Sequence, residues 1–462
     1  MFFAPYYLDC LSQASYLIAD ERTGRAVVVD PRRDVSEYLA DARAHGLTVV
    51  GVINTHFHAD FVAGHLELAD STGAWIGYGS RAETEYPIRP LSEGERIVLG
   101  DVVLEIMETP GHTPESISVL VYEHADDTVP HGVLTGDALF IGDVGRPDLL
   151  ASVGVTAEEL GAMLHDSVQR KLMALPDEVR VFPAHGAGSA CGKNLSTERQ
   201  STIGAQRATN YACAPMSRDA FVALVTAGQS AAPGYFAYDA DLNRRDRDRY
   251  DATAARPLSP AEFAGLRRSG AVVVDARTPQ DFAAGHLRDA VNVPADGRFA
   301  EQAGTVLDPA DELIVIAPEN REEEVVTRLA RVGLDRVAGH LRDPEAALEE
   351  LADEVVPASR LTAVRLRAAL AGDLPPLLVD VRTCGEREAA GFLDGALHIP
   401  LSELPRRTAE LPGDRPLVVH CAGGHRSSVA ASLLRRRGFA DVSDVLGGYT
   451  ALSGLAPASA TA

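Results

Sequence analysis

Thr55-His56-Phe57-His58-Ala59-Asp60 crowds two imidazoles and a carboxylate into six residues. The stretch follows an apolar run at 49–53 that reads as a buried strand, so the cluster stands where a strand ends and the chain turns. Imidazole and carboxylate are the donors that borderline and hard metal ions take. Three further apolar runs end in the same way. Residues 102–107 lead to Thr109-Pro110-Gly111-His112-Thr113, 132–135 to Gly136-Asp137, and 179–182 to Pro183-Ala184-His185-Gly186. Any one of these alone reads as a hydrogen-bonded turn with a structural histidine. Side chains at the carboxyl ends of neighbouring strands share one crevice in layered α/β folds, and four such ends together make a site.

At 462 residues the chain is too long for one ordinary core and suits two to four domains. A formal net charge of −23 argues against general binding to nucleic acid or anionic membrane. No stretch approaches the roughly twenty apolar residues of a membrane span. The opening Met1-Phe2-Phe3-Ala4-Pro5 lacks the basic start and apolar core of a signal peptide, so a cytoplasmic location is expected. Five scattered cysteines (Cys10, Cys191, Cys213, Cys384, Cys421) contain no Cys-x-x-Cys pair and form no disulfide framework. They are better searched for one reactive thiol.

Taken in order, residues 1–30 alternate apolar and polar and end on Ala26-Val27-Val28-Val29-Asp30, the pattern of a hairpin opening a sheet. Residues 34–46 read as a short helix stopped by Gly46, and a second helix runs through His65, itself taken as structural. The polar loop 142–148 follows Asp137, and helical stretches at 157–175 and 197–211 bracket the His185 loop. This alternation predicts a layered αββα domain ending near residue 245, with 243–250 and the Pro257/Pro260 segment as a linker.

Beyond the linker the sequence repeats at an offset near a hundred residues. Ala271-Val272-Val273-Val274-Asp275-Ala276-Arg277-Thr278 matches Leu377-Leu378-Val379-Asp380-Val381-Arg382-Thr383. Gly285-His286-Leu287-Arg288-Asp289-Ala290-Val291-Asn292-Val293-Pro294 matches Gly391-Phe392-Leu393-Asp394-Gly395-Ala396-Leu397-His398-Ile399-Pro400. The copies part at one place. The second has His420-Cys421-Ala422-Gly423-Gly424-His425-Arg426 after its strand, the first Ile316-Ala317-Pro318-Glu319-Asn320-Arg321. A glycine-containing loop between strand and helix turns backbone N–H groups inward and adds the positive end of a helix dipole. With Arg426 beside it, that setting favours an anion on the Cys421 sulfur, as thiolate or as persulfide. Cys213 and Cys384 have no such surroundings in sequence and read as inert.

Residues 360–462 resemble a rhodanese domain, with Asp380 and Arg382 in the early strand motif. Its six-residue Cys421–Arg426 loop is similar to that of sulfurtransferases, while related arsenate and phosphatase enzymes use one residue more. Gly423, Gly424 and His425 would then cradle the substrate, with Cys421 and Arg426 catalytic. Residues 256–355 resemble the same domain without its nucleophile, since Ala317 stands at the cysteine position and Glu319 would repel an anion. Residues 1–245 resemble the metallo-β-lactamase superfamily. The order of domains and the Gly136–Arg146 segment are similar to persulfide dioxygenase–rhodanese fusion proteins.

The resemblance implies one Fe(II) per chain held by His56, His112 and Asp137, an arrangement that leaves positions open for substrate and O2. His58, Asp60 and His185 would orient ligands or substrate from outside it. Spacing alone does not separate His56 from His58 as the ligand. Hydrolases of the superfamily with two zinc ions place a His after the Asp of this run; here the residue is Phe61. The implied activity is oxidation of a low-molecular-weight thiol persulfide to sulfite, coupled to sulfur transfer that forms thiosulfate, in sulfide detoxification. Persulfide, O2 and sulfite are the expected partners, and a homo-oligomer is expected. Arg146 suits anchoring a carboxylate of the thiol carrier, or equally a salt bridge with Asp143 or Asp148. Cys191 lies close enough to His185 in sequence to pass sulfur, or to be a silent buried thiol. Two other functions stay open: a glyoxalase II-type thioester hydrolase with a metal pair, and a sulfur carrier without catalysis.

Overall fold

The computed structural model describes residues 1–149, 154–229, 231–251 and 255–454. The chain divides into two compact units, Met1–Tyr250 with Arg331–Gly333, and Asp251–Ala330 with Leu334–Ala462.

In the first unit one sheet runs β1 (Phe2–Leu8), β2 (Gln13–Asp20), β3 (Arg25–Val29), β4 (Thr48–Ile53), β5 (Trp75–Gly79), β6 (Arg89–Leu91) in spatial order. The first three strands are antiparallel and the rest parallel. The other sheet holds β7 (Arg96–Val98), β8 (Val103–Glu108), β9 (Ile117–Tyr122), β10 (Gly132–Gly136), β11 (Arg180–Pro183) and β12 (Ser201–Thr202), again in sequence order. Side chains alternate across a strand, and β2 shows the consequence. Ala14, Tyr16 and Ile18 enter the core between the sheets with Leu104, Val119 and Leu134 of the facing sheet. Leu17 and Ala19 point the other way, into a layer with Tyr38 and Ala42 of the helix Ser36–Ala44. The outer face of the second sheet is covered by Leu164 of the helix Ala157–Asp166 and by Phe221. The unit is therefore the αββα sandwich expected, with the site residues of interest at strand ends on one edge.

Two expectations are corrected. The helix foreseen over 197–211 is only Ile203–Thr209, capped by Thr202, because residues 201–202 pair with β11 instead. Residues 243–250 are not a linker. Asn243 is fully buried; its Nδ2 donates to the carbonyls of His58 (2.8 Å) and Phe61 (2.9 Å), and its Oδ1 accepts from the Ala63 N–H (2.9 Å). Arg247 is also buried, in a two-oxygen pair with Glu67 of the helix His65–Thr72. The charges that suggested a solvated segment are partners for buried groups.

In the second unit each copy forms a five-stranded parallel sheet of identical order. The first is Arg256–Leu258, Val337–Leu341, Leu313–Ile316, Val272–Asp275, Val291–Asn292, and the second Ser359–Leu361, Val442–Val445, Leu417–His420, Leu377–Asp380, Leu397–His398. The repeated Asp-x-Arg motif does the same task in both. Arg277 pairs with Asp275 (2.6 Å) and donates to the Gly285 carbonyl; Arg382 pairs with Asp380 (2.7 Å) and donates to the Gly391 carbonyl. The strand end and the glycine turn are thus tied together by one guanidinium, and Arg382 is 1% exposed.

Asn243→Ala leaves three backbone groups around His58–Ala63 without partners, and each such buried group costs about 1–3 kcal/mol. A loss of at least about 3 kcal/mol in urea unfolding of the first unit is expected; a variant within 1 kcal/mol of the parent, on the order of an ordinary surface change, would show that this segment does not hold the loop.

Candidate metal centre

The loop after β4 starts with Thr55, whose N–H and hydroxyl donate to the two oxygens of Asp30 at 2.7 and 2.9 Å. The Thr55 hydroxyl oxygen then receives the Nδ1–H of His56 at 3.0 Å, which leaves the His56 Nε2 lone pair facing inward. His112, from the loop after β8, is set in the same manner: its Nδ1 donates to the Arg146 carbonyl at 2.9 Å. Both Nε2 atoms look at Asp137, which follows β10, at 3.8 and 3.4 Å from its Oδ2. Gly145 permits this approach, since a Cβ there would stand 2.0 Å from the Asp137 carbonyl.

The three side chains are almost wholly buried and their ligand atoms lie within 4.8 Å of one another. His56 Nε2 has no hydrogen-bond partner, and neither oxygen of Asp137 has a hydrogen bond of good geometry among the described residues. Burial lowers His56 far below its ordinary value, helped by His58, His112 and His185, and lowers His112 to about 4. Burial also pushes Asp137 up to about 6. Neutral imidazole lone pairs converging on a buried carboxylate are an unfavourable set by themselves. A divalent transition metal reverses the balance, taking the lone pairs and stabilising the carboxylate. The residues fit such an ion.

His58 is separated from His56 by geometry rather than spacing. Its Nε2 lies 3.0 Å from Asp30 Oδ1, away from the first trio. Burial pushes its imidazole down, but Asp30 outweighs that and lifts it above its ordinary value. Together with Asp60 and His185 it forms a second buried trio within 4.8 Å. His185 bridges the two sets, 3.5 Å from Asp60 Oδ2 and 3.6 Å from Asp137 Oδ1. Phe61 packs on His58 with ring centroids 4.3 Å apart and the planes tilted by 33°. Cys191 also reaches the centre, its Sγ within 4.8 Å of Asp137 and His185 ligand atoms; burial, Asp60 and Asp137 push its thiol far up.

Of the two roles open to Arg146, the structure displays the salt bridge: it is 3% exposed and grips both oxygens of Asp148 at 2.7 Å. Its backbone positions His112, and its own N–H is held by the Cys191 carbonyl at 2.9 Å. Asp143 has other work, accepting from the N–H groups of Lys193 and Asn194 and from the Tyr211 hydroxyl.

In the second unit Cys421 ends the strand Leu417–His420 and is 1% exposed. The Gly424 N–H donates to its Sγ at 3.1 Å, and the Ser427 hydroxyl lies 3.6 Å away. Gly424 has φ +99°, which turns that N–H inward just before the helix His425–Arg436. Gly448 closes the far side, where a Cβ would meet the Cys421 carbonyl at 2.4 Å. Arg426 grips both oxygens of Glu386, which also caps its own helix, Cys384–Ala390, by bonding the Thr383 N–H. Burial pushes the Glu386 carboxyl up, but Arg426 and Thr383 hold it below its usual range. The first copy has Ala317 buried at the matching strand end and no thiol there.

Asp30 and Glu386 hold candidate site residues in place and are not singled out by the sequence patterns above. Asp30 ends an apolar run like the four loops of the candidate site, and it adopts φ +51°, a strained backbone for a residue with a side chain. Glu386 was readable as a capping box, Thr383-x-x-Glu386, though not as the partner of Arg426.

Residues 8–185 match the metallo-beta-lactamase superfamily, and 259–341 and 362–454 each match the rhodanese-like domain. The chain is 30% identical over 189 residues to the mitochondrial persulfide dioxygenase ETHE1 of Bos taurus, covering 40% of this chain and 68% of that one. It is 33% identical over 172 residues to the hydroxyacylglutathione hydrolase of Rhodospirillum rubrum, covering 37% and 60%. A solved structure described as a metallo-beta-lactamase from Staphylococcus aureus is 32% identical with a TM-score of 0.67, covering 74% of this chain and 99% of that one. These likenesses, over the sandwich and the duplicated parallel sheets, establish that the chain belongs to the metallo-beta-lactamase superfamily, as an N-terminal domain of that kind fused to two rhodanese-like domains.

Proposed function

We propose that the chain is an iron-dependent persulfide dioxygenase whose sulfite is converted to thiosulfate at Cys421. The observation that carries the reading is the pairing of a two-imidazole, one-carboxylate trio, His56, His112 and Asp137, with a single cradled thiol. Two histidines and one carboxylate suit non-haem Fe(II), and such an ion supplies the redox chemistry between sulfur and O2. The balance is R–S–SH + O2 + H2O giving R–SH, sulfite and two protons. The protein's part at this centre is positional. Thr55 and the Arg146 carbonyl fix the imidazole tautomers, and the buried rings of Phe61, against His58 and His185, and Phe140, against His185, give the surroundings an apolar wall.

At Cys421 the thiolate attacks the outer sulfur of a second persulfide, forming Cys–S–S⁻ and releasing R–SH. Sulfite then takes that sulfur, giving thiosulfate and the free thiolate. The inward N–H of Gly424 and the start of the helix His425–Arg436 stabilise the charge on the terminal sulfur. Arg426 contributes less net charge than its type suggests, because Glu386 offsets it. A nearly neutral rim suits a sulfur anion better than a phosphate dianion.

One observation favours a second reading, a thioester hydrolase. His58, Asp60 and His185 form a donor trio beside the first, with Asp137 between them, and a hydroxyacylglutathione hydrolase is among the relatives. Two equivalents of zinc per purified chain, with thioester cleavage and no oxygen uptake, would install that reading in place of ours.

Asp137→Ala should drop bound iron from about one equivalent to almost none and abolish persulfide-dependent O2 uptake, while sulfur transfer from thiosulfate to cyanide at Cys421 continues. Retained uptake in an oxygen electrode would remove the trio from the reaction. Cys421→Ser should leave O2 uptake intact while sulfite accumulates in place of thiosulfate; chromatographic detection of undiminished thiosulfate would place the transfer elsewhere. Glu386→Gln should lower KM for sulfite about tenfold, the order expected for removing one like charge near an approaching anion at an effective dielectric of about 20. An unchanged or raised KM would mean that Glu386 acts only as a helix cap.

A further inference from the structure

The first rhodanese copy has no nucleophile, yet a charged cavity stands against it, with Arg436 of the second copy completing the lining. The cavity is about 380 Å3, within the range of small-molecule sites, and Arg267, Arg268, Arg288 and Arg436 line it together with Asp289 and Glu354. Four cations against two carboxylates leave a net charge of about +2 in a chain whose total is −23. Glu354 is taken up by Arg267, with which it forms an ion pair, and the same guanidinium donates to the Arg288 carbonyl at 2.9 Å. Burial lowers Arg267 below its ordinary value; Asp289 opposes this, and the nearby Arg288 and Arg268 reinforce it. Arg436 gives one hydrogen bond, to the Asp289 carbonyl. Among the described residues the guanidiniums of Arg268 and Arg288 have neither a hydrogen-bond nor an ion-pair partner. Unmatched positive charge therefore gathers on one cavity.

The duplication shows that the fold does not require this. Counted from the helix caps Ser259 and Thr362, Arg267 and Arg268 stand where the second copy has Leu370 and Ala371. Counted from the glycines Gly285 and Gly391, Arg288 and Asp289 stand where it has Asp394 and Gly395. Asp289 even adopts φ +64°, the conformation glycine holds at φ +78° in the twin, so a strained residue is kept where an unstrained one serves. The cavity is bordered by Ala271, just ahead of the strand Val272–Asp275, and so lies at the opposite end of that sheet from the strand end that carries Ala317, the position Cys421 holds in the second copy. It is not a remnant of the sulfur-transfer loop.

We propose that this cavity binds a diphosphate group, either inorganic or carried by a nucleotide. Guanidinium presents paired N–H donors that match two phosphate oxygens each, and Arg268, Arg288 and Arg436 offer enough such forks for two adjacent phosphates. A single orthophosphate would leave part of the charge and most of the volume unused.

Titration calorimetry of the full chain at low ionic strength, with sodium pyrophosphate, ADP and orthophosphate, tests this. One pyrophosphate or one ADP per chain is expected, at least tenfold tighter than orthophosphate, and weakened at higher salt. ADP tighter than pyrophosphate assigns a nucleotide, and equal affinity assigns the diphosphate alone. The double variant Arg268→Ala/Arg288→Ala should weaken binding at least tenfold with thiosulfate formation unchanged, which also shows that it is folded. Arg365→Ala, an exposed arginine of the other copy, should have no effect. Absence of binding, equal affinity for orthophosphate, or equal loss in the Arg365 variant would overturn the assignment and leave the cluster as solvated surface.

Discussion

Asp137 is a carboxylate shut away from water and ringed by the nitrogens of His56, His112 and His185, and the first unit is built around what that ring lacks. Burying an unpaired charge costs several kcal/mol, and so does stripping water from imidazole lone pairs without replacing it. Neutral imidazoles cannot cancel the carboxylate, and its upward shift to about 6 is the sign of that conflict. One cation resolves both costs together. The surrounding structure is arranged to make the resolution available: Asp30 orders Thr55 and His58, Thr55 orders His56, Arg146 orders His112, and Asn243 ties down the turn between them.

The two rhodanese-like copies provide an internal comparison of what a fold needs and what a reaction needs. Sheet order, the Asp-x-Arg clamp and the contact from the following strand to the arginine carbonyl are common to both, although Asn292 makes that contact in one and His398 in the other. Those shared features hold the sheet together. The thiol, the glycine with its inward N–H and the Arg426–Glu386 pair belong to the second copy alone. Where the second has Gly423 and Gly424, the first has Glu319 and Asn320, and its Arg321 is turned to Asp296 and Glu324. Loss of the nucleophile thus removed no part of the frame.

Much of this was legible because it is local. A polar cluster closing an apolar run, a duplicated motif and a six-residue loop are all read within a dozen residues, and the expected sandwich and duplicated α/β domain are what the chain forms. The failures are long-range. Asp30 was visible at a strand end, but its partners Thr55 and His58 lie 25 and 28 residues on. Asn243 bonds groups more than 180 residues earlier, in a stretch whose charge looked like solvated linker. The sequence offered Arg146 two nearby carboxylates, and only the packing of its loop brings it to Asp148 and not Asp143. His56 and His58 were indistinguishable by spacing, and folding sends them to different donor trios, His58 held by Asp30.

On the function proposed, the two chemistries need no shared site to be coupled. Both take the same persulfide, and the product of the first is the acceptor of the second, so a molecule of thiosulfate draws on two persulfides and one O2. The thiol sets which limits. Cys421 can hold only one sulfur, and while it waits for sulfite it is closed to further donor, so transfer cannot outrun oxidation. Oxidation has no such brake, and sulfite builds up whenever the loop reacts slowly. The rim around Cys421 therefore bears on how much sulfite escapes. A full positive charge from Arg426 would draw in sulfite and other anions alike, including the phosphates far more abundant in a cell. Offsetting it with Glu386 gives up some affinity for sulfite and keeps the loop from filling with bystander anions.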